Sequence, residues 1–197
     1  RQFFKERVHY IPMMMDDPAT PMAGSTTKEF DLIYVATDNP HNLASAKWFF
    51  DKVYPLLAPE LKICVIGTIL PHVPVSPNIT GVAFAEDLTQ YYNRAGIAIC
   101  PMLSGTGLKI KVVEALANGL PVVCTEAGID GLPDKTNNGC SVANDATGFA
   151  GFIDKLLNDT ELYQKQSSAG RDCFKRNFST SEVYKKIDTA LHLTAHA

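Results

Sequence analysis

The side chains best able to do chemistry in this chain are gathered between Ser104 and Glu114. Ser104, Gly105, Thr106 and Gly107 form a run of small residues, Lys109 and Lys111 bring positive charge, and Glu114 brings a carboxylate. The run follows GIAIC (96–100), an apolar, β-branched stretch that reads as a buried strand. It precedes Leu108 to Asn118, which reads as a helix ended by Gly119 with Pro121 beyond. A loop at a strand's carboxyl end and a helix's amino end suits an anion, because free N–H groups and the positive end of the helix dipole meet there. Glycines at 105 and 107 allow a close approach. Lys111 and Glu114 share one helix face, and Glu114 lies ~10 Å along from the loop at about 1.5 Å per residue. A ligand with phosphate at one end and a sugar diol further along fits both places, since a carboxylate accepts from two vicinal hydroxyls. The same spacing also describes an exposed Lys–Glu pair contributing a few tenths of a kcal/mol, and spacing alone favours that plainer reading.

These residues need a scaffold. Strand, loop, helix and the next buried strand, Leu120 to Thr125, make one βαβ unit with a right-handed crossover. Phe30 to Thr37 predicts a first strand. The Asp38–Asn42 turn follows, with Asn39 or Asn42 as N-cap, and then a helix from about Leu43 to Leu57 that Pro55 bends or ends. Leu61 to Ile66 and Ile79 to Phe84 are further strands, and Asp87 to Ala95 is a short helix. Gly139 onward (GCSVA) is a last strand. Helices follow at Asp145–Leu157 and Asp159–Arg176, and Ser179 with Glu182 reads as a capping box for a helix reaching about Leu193. Alternating helices and continuously apolar strands define an α/β fold: a doubly wound parallel sheet, Rossmann-like, of about six strands ordered 3-2-1-4-5-6. Residues 1–29 read as a lead-in or linker, with RVHYIPM as a short strand and DDPATPMAGSTT as loop. Residues 30–178 form the domain, and 179–197 a C-terminal helix.

Composition narrows the classes. Of 197 residues, 46% are hydrophobic, enough for a sizeable core, and the net charge of −3 implies neither a nucleic acid nor an anionic membrane as partner. Five cysteines (64, 100, 124, 140 and 173) without a CxxC spacing argue against a disulfide frame or zinc site. Three of them sit in strand-like runs as small hydrophobes, which suits a reducing compartment. No apolar run is long enough to span a bilayer, and no signal peptide is visible. The chain begins at Arg1, which suggests an excised piece.

The stretch SGTGLKIKVVEALANGLPVVCTEAGIDGL resembles the donor-binding segment of retaining glycosyltransferases of the GT-B fold, group 1 or family 4. One branch carries a pattern like sGxGxxxKxxEAxAxGxPVVxTxxGxxGL, and every fixed position is met, from Gly105 through Lys111, Glu114, Ala115, Gly119, Pro121 and Thr125 to Gly128, Gly131 and Leu132. The likeness extends over roughly Phe30 to Phe178. It implies the C-terminal, nucleotide-sugar-binding half of such an enzyme, with a hexosyl donor and no metal or separate cofactor. Phe84 and the backbone at Ala85 would flank the base, and Glu114 would hold the ribose hydroxyls. The loop Ser104–Gly107 and Lys111 would hold the diphosphate, making Lys111 and Glu114 the catalytic pair of this half. Lys109 and Asn42 are counted with the donor-binding residues.

The sequence also departs from the family. Many members carry two glutamates eight positions apart; Glu114 is the second, and Thr106 stands in place of the first. Ala83 and Ala85 replace the glycine and valine around the aromatic. No basic residue appears in Asn39-Pro40-His41-Asn42, which leaves Lys109 and Lys111 as candidates. The acceptor-binding, amino-terminal domain is absent from this sequence. The resemblance therefore implies a cytoplasmic transferase, at most peripherally membrane-attached through that domain, whose isolated fragment is inactive. Two other readings stand beside it: a non-catalytic nucleotide-sugar-binding module, and a GT-B UDP-sugar epimerase. A dinucleotide-binding Rossmann domain is disfavoured, since ATDNPHN rather than GxGxxG follows the first strand. His41 has the reach to meet a phosphate from its turn but reads first as an exposed turn residue, Asp130 as turn chemistry, Trp48 as helix packing, and Met13–Met15 as local packing.

Overall fold

The computed structural model describes residues 10–18 and 28–195. Its strands are β1 (Phe30–Val35), β2 (Ile63–Ile66), β3 (Ile79–Val82), β4 (Ala95–Cys100), β5 (Val122–Cys124) and β6 (Cys140–Val142). They form one sheet in the order β3-β2-β1-β4-β5-β6, and each neighbouring pair is parallel. This is the expected doubly wound order. The chain reverses its winding between β1 and β4, so the loops after those two strands meet at their carboxyl ends. In open α/β sheets that crevice is where ligands bind.

The sheet is buried on both faces, which is why its strands lack polar alternation. Leu32, Tyr34, Ile63, Val65, Ile97 and Val123 pack on one side with Phe49, Phe149 and Ile153. Ile33, Cys64, Ala98, Cys100, Val122 and Cys124 pack on the other with Val113, Leu116 and Phe174. The helices supplying these layers are α1 (Pro40–Trp48), α2 (Leu88–Arg94), α3 (Ile110–Ala117), α4 (Ala146–Asn158), α5 (Thr160–Asn177) and α6 (Thr180–Ala195). Cys64, Cys100, Cys124 and Cys173 are buried and all five cysteines are free thiols. Trp48 packs edge-on against Phe149, ring centroids 5.6 Å apart.

Three local expectations need correction. Helix α1 starts at Pro40, earlier than Leu43, because Pro40 fills the first turn and the Asn39 side chain accepts from the Asn42 N–H. The single helix expected to reach Leu57 is broken: α1 gives way after Trp48 to a π turn at Phe49–Val53 and then a 3-10 turn at Tyr54–Leu56, which holds Pro55 and, as expected of that proline, ends the helical run. The capping box does not form, because the Ser179 hydroxyl turns back to donate to the Lys175 carbonyl at 2.8 Å and the Glu182 carboxylate pairs with Lys185.

Most of the lead-in, and part of its expected strand, lies outside the described residues. The described part, 10–18, has a single parallel bridge, from Met15 to Ser179. The Met15 N–H donates to Phe178 O at 2.9 Å and Thr180 donates to Met15 O at 3.1 Å. Asp17 pairs with Arg171 at 2.7 Å, so this piece is docked on the α5–α6 junction. Among the described residues, no helix is long and apolar enough to cross a membrane.

Candidate functional site

The loop after β4 is a preformed cradle. Gly105 and Gly107 both adopt positive φ, +95° and +83°, a region that L side chains enter only at a cost. The Leu103 N–H is held by the Ser45 hydroxyl at 3.2 Å, and that hydroxyl also donates to His41 O at 2.6 Å. His41 Nδ1 lies 2.8 Å from Ser104 Oγ. The α1 entry, after β1, is thereby tied to the loop after β4. Ser45 was not visible as a site residue in the sequence; it is buried on α1 and acts through others. His41, read as a solvent-facing turn residue, fixes Ser104. Helix α3 begins at Ile110, two residues later than expected, and Lys109 gives it no side-chain cap; Val112 N–H donates to Lys109 O at 2.9 Å, which leaves the Ile110 and Lys111 N–H groups to face an anion. The amides of Ser104, Gly105 and Thr106 likewise meet no protein acceptor among the described residues.

The lysines divide. Lys109 curls back, its ammonium donating to Gly105 O at 3.0 Å and Gly107 O at 2.7 Å, so it staples the loop. Lys111 donates to Asn42 Oδ1 at 3.1 Å and lies 5.6 Å from the centre of the Tyr34 ring. Burial lowers its pKa, partly offset by the Cys100 thiol and the Glu114 carboxylate. Asn42 is itself buried, its amide donating to Thr37 Oγ1 at 3.2 Å, so its reach is to Lys111 and not to open solvent.

Glu114 does not pair with Lys111. Its Oε2 accepts from the Tyr92 hydroxyl at 3.1 Å. Tyr92, on α2, is fully buried, and its role was not legible from its surroundings in the sequence. Burial raises the Glu114 pKa, while the Tyr92 hydrogen bond and Lys111 pull it back. Glu114 lines an open cavity of about 420 Å³, whose wall also includes Ala85, Tyr92 and Asn118 and, from the lead-in, Met15 to Pro18. Phe84, the chain neighbour of Ala85, is 79% exposed and is not part of that wall. Ala85, Tyr92 and Glu114 are thus brought together, while Ser104, Gly105, Thr106 and Gly107 form the cradle at the amino end of the same helix.

A second cavity, of about 550 Å³, opens on the other elements around the cradle, with Gly105, Thr125, Glu126, Asp130 and Asn144 in its wall. Asp130, read as turn chemistry, does more: its Oδ2 accepts the Gly107 N–H at 2.7 Å. Among the described residues, no group of histidines, cysteines and carboxylates has the arrangement of a metal site.

Fold and site define a doubly wound α/β domain with a glycine loop of unbonded amides at its switch point and a carboxylate further along the same helix. Residues 29–159 match the family model of "Glycosyl transferases group 1", and the chain belongs to that family. A Klebsiella pneumoniae protein, "Uncharacterized 44.6 kDa protein in cps region", is 24% identical over 163 residues, which are 75% of this chain and 42% of that one. Among solved structures, Anabaena Alr3699/HepE in complex with UDP superposes with a TM-score of 0.69 at 14% identity, covering 83% of this chain and 48% of that one. Sucrose-phosphate synthase from Thermosynechococcus elongatus gives 0.71 at 15% identity, covering 95% and 53%. At these identities the structures speak for the fold, the Rossmann-like half of GT-B enzymes. The chain spans about half the length of the proteins it matches.

Proposed function

We propose that this chain is the donor-binding half of a retaining hexosyltransferase of family 4, binding a nucleoside diphosphate sugar for transfer to an acceptor held by an amino-terminal domain. The observation that carries the reading is Glu114, set in a cavity wall, oriented by Tyr92 and unpaired with the lysine three residues away. One carboxylate oxygen is occupied by Tyr92, and the other remains for the ribose diol. Phe84 and the backbone at Ala85 flank the base. The amides of the Ser104–Thr106 loop, the free end of α3 and the Lys111 ammonium take the diphosphate.

The diphosphate is the leaving group, so the contribution of this half is to stabilise the charge that grows on it, in a site already oriented for that charge. Lys111 serves best when its position is fixed, and Asn42 and the Tyr34 ring fix it. The fold likeness to Alr3699/HepE, solved with UDP-glucose, supports UDP as the nucleotide to test first. No metal takes part in this reading, and the enzyme works in the cytoplasm. Calorimetric titration of the chain with UDP tests it. Saturable binding that Glu114→Gln weakens is expected; equal binding by parent and variant rejects the site. If the acceptor is held by a separate amino-terminal domain, the chain alone is expected to transfer no sugar, and robust transfer to an added acceptor rejects the two-domain reading.

A further inference from the structure

The Asp130 carboxylate and the Gly107 N–H meet across 23 residues of sequence at 2.7 Å. A phosphate oxygen converging on the same N–H would meet the Asp130 carboxylate at close range, so this amide favours Asp130 over the diphosphate. The turn carrying Asp130 has little freedom to withdraw. A Cβ on Gly131 would lie 2.4 Å from Leu108 N and 2.8 Å from Gly107 C. Backbone therefore rests on backbone, and Asp130 is a fixed part of the cradle's rim.

Its surroundings have one chemical character. Glu126 and Asn144 hold each other across the same cavity: the Glu126 N–H donates to Asn144 Oδ1 at 2.9 Å, and Asn144 Nδ2 donates to Glu126 Oε2 at 3.3 Å. The Thr125 hydroxyl is spent on Met102 O. No cationic side chain lines this cavity, and Lys109 is turned onto the loop carbonyls. The wall is thus rich in acceptors and negatively charged, with Gly105 of the cradle as one edge.

We propose that this cavity receives the sugar of the donor, that Asp130 accepts from its hydroxyls, and that the site selects a neutral sugar over an anionic one. The inference rests on the nucleotide-sugar reading above and adds the substrate class to it. A hydroxyl-bearing ring donates to the Asp130 and Glu126 carboxylates, whereas a uronate brings a third negative charge beside them.

The test is calorimetric titration of the full chain with UDP, UDP-glucose and UDP-glucuronate, on the parent and on Asp130→Asn. The amide oxygen of the variant still accepts from Gly107, so the loop keeps its shape while the charge goes. The parent is expected to bind UDP-glucose at least as tightly as UDP, and UDP-glucuronate roughly tenfold more weakly or worse. Asp130→Asn should shrink the glucose–glucuronate gap to about threefold or less. Equal binding of the two sugars by the parent overturns the proposal, as does a variant that loses UDP and UDP-glucose alike, which marks Asp130 as a loop prop only. If Asp130→Asn does not fold, Glu126→Gln on the exposed neighbouring turn must narrow the same gap, and an unchanged gap overturns the proposal. Failure of the parent to bind UDP at all overturns the donor reading and this inference together, whereas UDP binding with the wrong sugar pattern overturns this inference alone.

Discussion

Tyr92 on α2 donates its hydroxyl to Glu114 Oε2 on α3 across 3.1 Å. The ring is 1% exposed, so the bond is made in a shielded place and bears on a charge, where hydrogen bonds contribute most. It favours the ionised carboxylate against the burial that disfavours it. Tyr92→Phe keeps the packing and removes the bond. The Glu114 pKa then rises further, and the acidic limb of a UDP affinity–pH profile moves to higher pH than in the parent. Titration calorimetry across pH checks this; an unmoved limb separates Tyr92 from the site.

Glu114 and Lys111 should fail differently. A hydrogen bond to a charged group contributes about 1.5–3 kcal/mol, so Glu114→Gln should lower affinity by roughly one to two orders of magnitude for UDP and uridine alike. Lys111→Ala should weaken UDP and spare uridine, because its ammonium meets phosphate and not ribose. Four titrations, two ligands against two variants, separate the roles. A Glu114→Gln chain that binds UDP like the parent would falsify the ribose assignment and leave the fold untouched.

Much of this architecture was legible because parallel strands buried on both faces are written as unbroken apolar runs, and Phe30–Val35 and Ala95–Cys100 are such runs. The switch point followed from strand order, and the cradle from two glycines ahead of a helix. Long-range partnership was illegible. Nothing local in Tyr92 says that it faces Glu114, nor in Asp130 that it reaches Gly107, because those pairings depend on how α2 and the turn after β5 lie on the sheet. Lys109 and Asn42 show the converse: residue types suited to a ligand, turned by the fold to the loop carbonyls and to Lys111. Pro40 misled on the start of α1 because a proline in a turn and a proline at a helix's first position look alike in sequence.

Two glycines of the cradle should tolerate substitution unequally. A Cβ at Gly107 meets nothing within 4 Å, so Gly107→Ala faces only the positive φ of +83°, a cost of about 1–2 kcal/mol. A Cβ at Gly131 meets the Leu108 backbone at 2.4 Å, where no side chain can yield. Gly131→Ala should therefore unfold at a distinctly lower temperature than Gly107→Ala and lose UDP binding as the loop is pushed out of place. Thermal melts and titrations of both variants test this, and equal melting temperatures would contradict the packing of the turn on the loop.

Lastly, the titrations of the two α3 side chains act on stability and binding with opposite preference. Burial raises the Glu114 pKa above its unfolded value, so the folded state holds that proton more tightly. The resulting stability is full at pH below the ordinary glutamate range and is lost as pH rises through the raised value. At pH 7 the carboxylate is therefore a cost to folding, and Glu114→Gln should melt above the parent there and lose that advantage in acid. Lys111 is the mirror case: its pKa is lowered by burial, its charge is disfavoured in the fold, and stability from this residue grows as pH rises through the lowered value towards the ordinary lysine range. Binding runs the other way at both ends. UDP needs Glu114 ionised and Lys111 charged, so its affinity should fall in acid sooner than an ordinary glutamate would cause, and in alkali sooner than an ordinary lysine would cause. Melting curves and titrations over one pH series read both effects. A Glu114→Gln chain less stable than the parent at pH 7 would show that Glu114 serves the fold rather than a ligand.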